Sequence, residues 1–531
     1  MVLTSRSTRY FSYNTPCCVQ QFFPSFSPIF SRMFAEMLQK ETTMSTSNFE
    51  DDFESGESLP EWNKKEMDEQ IRRFREAAKR GEAKSHVPSM NVLEELVLYC
   101  IETDKFDDAL HFCNQLLEMV PYSGDAWQKK GIILSAQGDF AGALTALDHA
   151  LTLHPFDSET LLNRAWALDG LHRYDEAMTI VEQLLSLDSS NEEALFMKAT
   201  LYQRSEQYRE AIKIFRYLLH SEELATDVWY ELGYCYDFID EPDLAIQAYQ
   251  KHIDEQPYNY NAWYNCGVVC SKGERYYAAI EYYDMALAIK EDFGAAWYNR
   301  GNAYASLHRL IEAVESYEEA LKHDPNDTAT LYNLGNAYQE MGDFRKAIEQ
   351  YTKAINILPT YEEAFFARGS CYDAMEQYHS ALADYERALK QNPNVAEVWY
   401  AAADILYNTD RLEQSLEYYS HVLRLTPTDH ECWFDYADTA LQLEMVDIAA
   451  DALRKCISIA PDWHESYYAL AKIFAAADDL EQAVAMLLKV FERNKELRYE
   501  YKPEFAMFLS ADKLDRLVQA VQQQETEKIQ G

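Results

Sequence analysis

The sequence predicts an all-α solenoid built from about twelve copies of a 34-residue helical hairpin. Twelve units of this length fit end to end between residues 90 and 497 without an insertion, and the twentieth residue of eleven units is alanine. Prolines recur with the same period, at positions 121, 155, 257, 325, 359, 393, 427 and 461. A fixed period in this size range is the signature of a repeat architecture in which each repeat is one supersecondary unit.

Small side chains mark two positions of the repeat. Position 8 is glycine or alanine from the second repeat onward, and position 20 is alanine or, once, serine. This restriction predicts that two helices cross so closely that a larger side chain would clash. The central examples are Gly267, Gly301, Gly335 and Gly369 at position 8, and Ala279, Ala313, Ala347 and Ala381 at position 20.

Large side chains stand at fixed distances from these small ones. Position 4 is often tryptophan, which we expect to fill space beside the close contact, and position 24 is often tyrosine. Position 24 follows position 20 by one helical turn and shares its face. Each repeat is therefore predicted to be a helix A, a short turn such as residues 341–343, and a helix B. Helix B should end near the proline, which cannot continue it.

This pattern resembles the tetratricopeptide repeat position for position. The residues that carry the resemblance in one repeat are Trp297, Gly301, Tyr304, Ala313, Tyr317, Ala320 and Pro325. The resemblance covers about three quarters of the chain. It implies a right-handed superhelix that is stabilised by stacking of neighbouring repeats. It also implies that helices A line the concave surface, where partner proteins bind.

The segments outside the repeats are predicted to be an extension and two caps. We expect an atypical or disordered extension over residues 1–60, a capping helix within 61–89, and C-terminal capping helices with a tail over 498–531. The N-terminal helix would place Met67, Ile71, Phe74 and Ala78 on one face and end near Gly81. At the other end, an apolar stripe comprises Leu514, Leu517, Val518 and Val521.

The first 44 residues differ from the rest in charge, with a net of +2 that leaves −43 for the remainder. Three origins of this segment remain open: a transit peptide, a disordered extension, or an upstream start with Met44 as the true beginning. We favour the last two. Prolines at 16, 24 and 28 argue separately against a secretory signal, because they interrupt the long apolar core that such a signal needs.

The composition excludes several classes of function. A net charge of −41 argues against a nucleic-acid or anionic-lipid surface and leaves a basic, cationic or neutral partner. No apolar run approaches the length of a membrane span. The ten cysteines lack disulfide spacing, which favours buried thiols in a reducing, cytoplasmic compartment. Cys266 and Cys270 are one turn apart but lack a second pair, so we interpret them as core residues and expect no metal or cofactor.

The candidate binding residues lie on helices A. Position 5 forms an aromatic row that includes Tyr264, Tyr298 and Tyr332, and positions 6 and 9 carry Asn265, Asn299, Asn302, Asn333 and Asn336. The rings either pack on one another, which we favour, or form a platform for a peptide. An amide offers both a donor and an acceptor, so a row of amides can pair with the backbone of an extended peptide. Asparagine could equally be a common residue of an ideal repeat.

Two further patterns refine the site. Position 2 is acidic in most repeats but neutral in repeats 6 to 8, so we predict the partner segment in this amide-lined centre. Lys and Arg are absent from position 2 of repeats 2 to 12. The chaperone-type members of the family use such residues to bind the C-terminal carboxylate of a partner. We therefore do not expect this protein to bind partners in that way.

The sequence therefore predicts a non-catalytic scaffold or adaptor that binds proteins. It contains no Gly-rich phosphate loop, metal-spaced cluster or nucleophile motif of an enzyme. Two alternatives remain: a regulatory or substrate-targeting subunit of an enzyme complex, such as a glycosyltransferase, and a membrane-associated assembly or secretion factor. Self-association is left open.

Overall fold

The computed structural model describes residues 64–79 and 89–530, and within these ranges all regular secondary structure is helical. Two compact units divide the chain, one up to Glu291 and one from Asp292 onward. The predicted N-terminal extension and the predicted helix end near Gly81 lie outside the described residues.

Twelve consecutive hairpins occupy the described chain between Met90 and Arg493, six in each unit. The helices A span Met90–Glu102, Gly124–Ala136, Ser158–Gly170, Glu192–Arg204, Ala225–Phe238, Tyr260–Lys272, Gly294–Ser306, Thr328–Glu340, Glu362–Ala374, Ala396–Asn408, His430–Gln442 and His464–Ala476. The helices B span Phe106–Met119, Phe140–Leu153, Tyr174–Leu187, Tyr208–Leu218, Pro242–Glu255, Tyr276–Ile289, Leu310–His323, Phe344–Ile357, Tyr378–Gln391, Leu412–Leu425, Val446–Ile459 and Leu480–Arg493. Within each unit, every helix B packs against its own helix A and against helix A of the next repeat. The predicted all-α tandem-hairpin fold is confirmed.

The close contact between helices A and B involves position 24 as well as positions 8 and 20. A Cβ atom built on Gly335 would approach Cε1 of Tyr351, at position 24 of the same repeat, to 2.5 Å. In repeat 10, Oγ of Ser415 at position 20 donates a hydrogen bond of 2.9 Å to the carbonyl of Ala403 at position 8. Positions 8 and 20 thus lie together as predicted. The other central glycines, Gly267, Gly301 and Gly369, contact Tyr283, Tyr317 and Tyr385 in the same way, and Ala279, Ala313, Ala347 and Ala381 are fully buried.

Four of the position-4 tryptophans link neighbouring repeats by hydrogen bonds. The indole Nε1–H of Trp263 donates to the carbonyl of Pro257 at 2.8 Å, and that of Trp399 donates to Pro393 at 2.9 Å. The pairs Trp127–Pro121 and Trp433–Pro427 repeat the contact at 3.0 Å. The tryptophan therefore holds the segment that joins one helix B to the next helix A. This role adds to the space-filling that the sequence predicts.

The turn from helix A to helix B has the same backbone conformation in all twelve repeats. Position 15 has a positive φ throughout, from 55° at Asp104 to 81° at Gly138. Gly342, in the predicted turn 341–343, has φ 78°. Ten of the twelve residues are not glycine, although this conformation costs such residues about 1 kcal/mol or more. The two helices that each turn joins hold the conformation in place.

Capping helices cover both ends of the hairpin array. Helix Lys64–Lys79 buries Met67, Ile71 and Phe74 against the first repeat, and the ring of Phe74 lies 5.0 Å from that of Phe112. The predicted contact residue Ala78 lies outside the residues whose side chains are described. At the other end, Leu497–Ala506 and Ala511–Gln530 bury residues that include Phe505, Leu517 and Val521. These apolar faces close the core that the terminal repeats would otherwise expose.

A buried histidine of the first unit bonds through both of its ring nitrogens. His252 is 2 % exposed, and its Nδ1–H donates to the carbonyl of Thr226 at 2.7 Å. Its Nε2 accepts from Nδ2 of Asn259 at 2.7 Å, while Oδ1 of Asn259 caps the following helix. This arrangement requires the neutral ring, and burial lowers the pKa of His252 below its usual 6.5.

We expect acidification to destabilise this region through His252. Because the pKa is lower in the folded than in the unfolded chain, the stabilising contribution is complete above about pH 6.5 and is lost as the pH falls towards the folded value. Melting temperatures of the wild type and of His252→Leu at pH 7.5 and 5.5 measure this effect. Leucine occupies the same position in repeats 1, 3 and 4. The wild type should lose more stability on acidification than the variant, and equal changes would contradict the prediction.

Candidate partner-binding face

Two asparagines on neighbouring helices A form a hydrogen-bonded amide pair in the second unit. Nδ2 of Asn333 donates to Oδ1 of Asn302 at 3.0 Å and to Oη of Tyr298 at 3.1 Å. The same Oδ1 of Asn302 accepts a hydrogen bond of 2.7 Å from Oη of Tyr317. The amino group of Asn333 and the carbonyl oxygen of Asn302 are therefore fully engaged. Within the described chain, the amino group of Asn302 and the carbonyl oxygen of Asn333 have no hydrogen-bond partner.

The other two candidate asparagines of this unit serve the fold. Oδ1 of Asn336 accepts from Oη of Tyr351 at 2.7 Å. Oε1 of Gln339 lies 2.8 Å from the same hydroxyl, so the two amide oxygens share its single proton. Asn299 is only 7 % exposed, so its side chain lies in the interior. In this unit, the amide pair Asn302–Asn333 thus retains free hydrogen-bonding groups that a partner could use.

The remaining candidates, Asn265 and Tyr264, belong to the first unit. Nδ2 of Asn265 donates to Oη of Tyr230 at 3.1 Å, which repeats the contact of Asn333 with Tyr298. The ring of Tyr264 packs against that of Tyr283, with centroids 5.9 Å apart.

The tyrosines at position 5 are half-buried and pack on the tyrosines at position 24. The rings of Tyr298 and Tyr332 lie 6.2 and 5.8 Å from those of Tyr317 and Tyr351, respectively. Burial raises the pKa of Tyr317, Tyr332 and Tyr351 above 10, so their hydroxyl groups remain protonated donors. These contacts support the packing interpretation of the aromatic row. The rings also hold the amide pair in place.

A recurring contact at an offset of 35 residues escaped the sequence prediction. It joins position 5 of one helix A to position 6 of the next, as in Tyr230–Asn265, Tyr298–Asn333 and Tyr400–Asp435. A second row joins positions 12 and 13, as in Asp237–Lys272 and Tyr407–Gln442. The signal was present, because hydrogen-bonding residue types recur at this offset. The two partners belong to different repeats, so the pairing is not visible within a single repeat.

The described residues include no metal-binding cluster and no membrane-spanning helix. They contain no group of three or more His, Cys, Asp or Glu side chains that could hold a metal ion. Cys266 and Cys270 are buried free thiols, and burial raises the pKa of both. In the same part of the chain, no helix combines the length and the apolarity that crossing a bilayer requires.

Models of known protein families match several parts of the repeat array. Tetratricopeptide repeat models match residues 134–201, 292–360, 366–430, 430–462 and 464–497. A model described as anaphase-promoting complex, cyclosome, subunit 3 matches residues 170–252. No curated protein matches the chain.

Solved structures of repeat proteins are also similar to this chain. MamA is 25% identical over 30% of this chain and 95% of its own, with a TM-score of 0.30. YrrB, described as a TPR protein with an unusual peptide-binding site, is 24% identical over 35% of this chain and 96% of its own, with a TM-score of 0.33. The APC/C hetero-tetramer Cut9-Hcn1 is 12% identical over 82% of this chain and 96% of that chain, with a TM-score of 0.35.

The repeat models match parts of both units, and all of their matches lie within the array of hairpins between residues 90 and 497. The residues that these hairpins bury at positions 8, 20 and 24 are those on which the sequence resemblance depends. The chain belongs to the tetratricopeptide repeat family.

Proposed function

We propose that this protein is a non-catalytic scaffold that binds an extended segment of a partner polypeptide across helices A of repeats 7 and 8. The observation that supports this proposal is the amide pair Asn302–Asn333. The pair uses one donor and one acceptor group internally and leaves one of each free. A peptide backbone presents the complementary carbonyl and N–H groups in every residue.

The fixed position of the pair favours this use. Asn302 is held by Tyr317, and Asn333 is held by Tyr298, so neither side chain must be ordered when a partner binds. Preorganised groups lose less conformational entropy on binding than mobile ones. Recognition through the backbone is independent of the partner's side chains, which suits a scaffold with more than one partner.

Charge indicates the class of partner. The chain carries a net charge of −41, which attracts a basic partner during encounter and repels an acidic one. Asp404, Asp435 and Asp438, at positions 9, 6 and 9 of repeats 10 and 11, add carboxylates to helices A of the second unit. We therefore expect the partner segment to be basic or neutral. The buried free thiols among the described residues support a reducing, cytoplasmic location for the complex.

The substitution Asn302→Asp tests the role of the amide pair. It keeps an acceptor for Tyr317 and for Asn333 but removes the free amino group. A peptide carbonyl would then face a carboxylate oxygen, so we expect partner affinity to fall about tenfold, the effect of one lost hydrogen bond. The partner is first captured from the cell extract with the full chain, and the dissociation constant of its binding segment is then measured with both proteins.

A matched control separates this effect from added charge. Asn326→Asp introduces the same charge in the same repeat hairpin, at an exposed residue of the loop before helix Thr328–Glu340. It should leave affinity nearly unchanged. Equal affinities of Asn302→Asp and the wild type would refute the assignment of the site. Simultaneous replacement of Asn299, Asn302, Asn333 and Asn336 is a poorer test, because buried Tyr351 would lose its hydrogen bond to Asn336.

A second candidate function is that of a subunit in a multiprotein enzyme complex. The match of residues 170–252 to the model of an anaphase-promoting complex subunit favours it. Under this alternative, the protein regulates or targets an enzyme without performing chemistry itself. Native mass analysis of the protein purified from its own extract distinguishes the two. A stable assembly of fixed composition that contains an enzyme supports the subunit, whereas exchangeable binary complexes support the scaffold.

A further inference from the structure

Two aspartates of repeats 10 and 11 occupy the positions that the amide pair occupies in repeats 7 and 8. Asp404 stands at position 9 of repeat 10, as Asn302 does in repeat 7, and Asp435 stands at position 6 of repeat 11, as Asn333 does in repeat 8. Both aspartates are half-buried and lie on helices A of the second unit. Tyrosines fill positions 5 and 24 in both places. The same contact is therefore built once from amides and once from carboxyl groups.

Each aspartate accepts a hydrogen bond from one of these tyrosines. Oη of Tyr419 donates to Oδ1 of Asp404 at 2.5 Å. Oη of Tyr400 donates to Oδ2 of Asp435. Burial, and then the charges of both aspartates, raise the pKa of both tyrosines, so each hydroxyl keeps its single proton for its own aspartate. Both carboxyl groups thus lie close to both tyrosines.

The amide pair shows which contact the two side chains make with each other. Nδ2 of Asn333 donates to Oδ1 of Asn302 at 3.0 Å across these two positions. Two ionised carboxylates have no proton with which to make this contact, and like charges so close together disfavour the ionisation of both groups. One proton held between Asp404 and Asp435 supplies the donor and removes one of the two charges.

The groups around the two aspartates favour retention of this proton. The two charges act on tyrosines and thiols of repeats 9 to 11, namely Tyr385, Tyr400, Tyr407, Tyr419, Cys432 and Cys456. Burial raises the pKa of all six, so they are neutral at neutral pH. Asp373 of repeat 9 and Asp438 of repeat 11 add negative charge nearby. Lys472, at position 9 of repeat 12, pairs with Glu504 at 2.7 Å.

We propose that Asp404 and Asp435 share one proton at neutral pH and form a pH-sensitive contact between helices A of repeats 10 and 11. As the pH rises, the proton passes to solvent, the two carboxylates repel each other, and the contact weakens. The unfolded chain loses such a proton at about pH 4, so the folded unit binds it more tightly. Its stabilising contribution is therefore lost as the pH rises through the folded value. This response is opposite in sign to that of His252.

Asp435→Asn tests the shared proton, because its amino group is a permanent donor to Asp404 while its oxygen still accepts from Tyr400. Infrared difference spectra of the full chain at pH 7.5, wild type minus variant, should show the carbonyl band of a protonated carboxylic acid. The band should fade as the pH is raised to 9.5. Asp404→Asn, which places the amide on the other side of the pair, should give the same band. Asp462→Asn, at an exposed residue of the loop before helix His464–Ala476, should give none.

Melting temperatures at pH 7.5 and 9.5 provide an independent measurement. The wild type and Asp462→Asn should lose about 2 to 4 °C more over this interval than Asp435→Asn, the effect of about one pKa unit. Absence of the carboxylic acid band from the difference spectra of both Asp435→Asn and Asp404→Asn would overturn the proposal, as would equal losses by the wild type and both variants. Neither measurement involves a partner, so failure of this inference is distinct from failure of the proposed function.

Discussion

Substitution of Gly335 by valine is expected to lower the free energy of unfolding of the second unit by about 3 kcal/mol. The glycine lies against the buried ring of Tyr351, and even the first added carbon would come within 2.5 Å of Cε1. Both helices are fixed by contacts with their neighbours, so the ring has no free volume into which it can turn. Urea unfolding followed by circular dichroism measures the change.

The chain itself supplies a compensating pair for this test. Repeat 1 has valine at position 8, and it carries cysteine at position 24 where repeat 8 carries tyrosine. Gly335→Val combined with Tyr351→Cys therefore recreates the Val97–Cys113 pair. We expect the double variant to be more stable than the sum of the two single effects predicts, because residues in contact do not behave additively. Gly294→Ala is the control, since its nearest neighbouring atom would be 3.5 Å away. Additive effects would contradict direct packing.

Removal of the Asp384 carboxylate should destabilise the second unit by about 3 to 5 kcal/mol. Asp384 and Arg368 are joined by two hydrogen bonds of 2.7 and 2.8 Å, and their side chains are only 5% and 11% exposed. Arg368 also donates to Oγ1 of Thr352 at 2.9 Å, which ties repeat 9 to repeat 8. Asp384→Ala would leave the guanidinium buried without its counter-charge. Urea unfolding again measures the loss.

The corresponding double variant should recover most of this stability. Repeat 12 has Leu470 and Met486 at the two positions that Arg368 and Asp384 occupy in repeat 9. Arg368→Leu with Asp384→Met replaces the ion pair by the apolar pair that repeat 12 already contains. Such replacements are often neutral or stabilising. A double variant as unstable as Asp384→Ala would show that the lost contact to Thr352, and not the unpaired charge, dominates.

The sequence predicted the hairpin array closely, because the packing of helix A on helix B depends on the size of a few side chains in each repeat. Position 8 is small from the second repeat onward and position 20 is small in every repeat, because helices A and B cross closely there, so the restriction is visible in one chain without any structure. The ends of the array were predictable for a related reason. Phe505 and Leu517 break the small-residue rule, and both are buried in the C-terminal cap.

The candidate site was harder to predict because it depends on hydrogen bonds between repeats. Asn299 and Asn302 differ by three residues and look equivalent in sequence, yet the first is buried and the second keeps a free amino group. Which amide is available depends on the hydroxyl groups of tyrosines in the same and the adjacent repeats. The role of Trp399 in binding the carbonyl of Pro393 was missed for a similar reason, since the bond crosses from one repeat to the next.

The most direct test of the account is an experimental structure of the full chain bound to the segment of its captured partner. The account predicts an extended segment over helices A of repeats 7 and 8. One backbone carbonyl should lie about 3 Å from Nδ2 of Asn302, and one backbone N–H should lie about 3 Å from Oδ1 of Asn333. A partner segment bound only to helices B, or a folded partner that leaves both amide groups uncontacted, would contradict it.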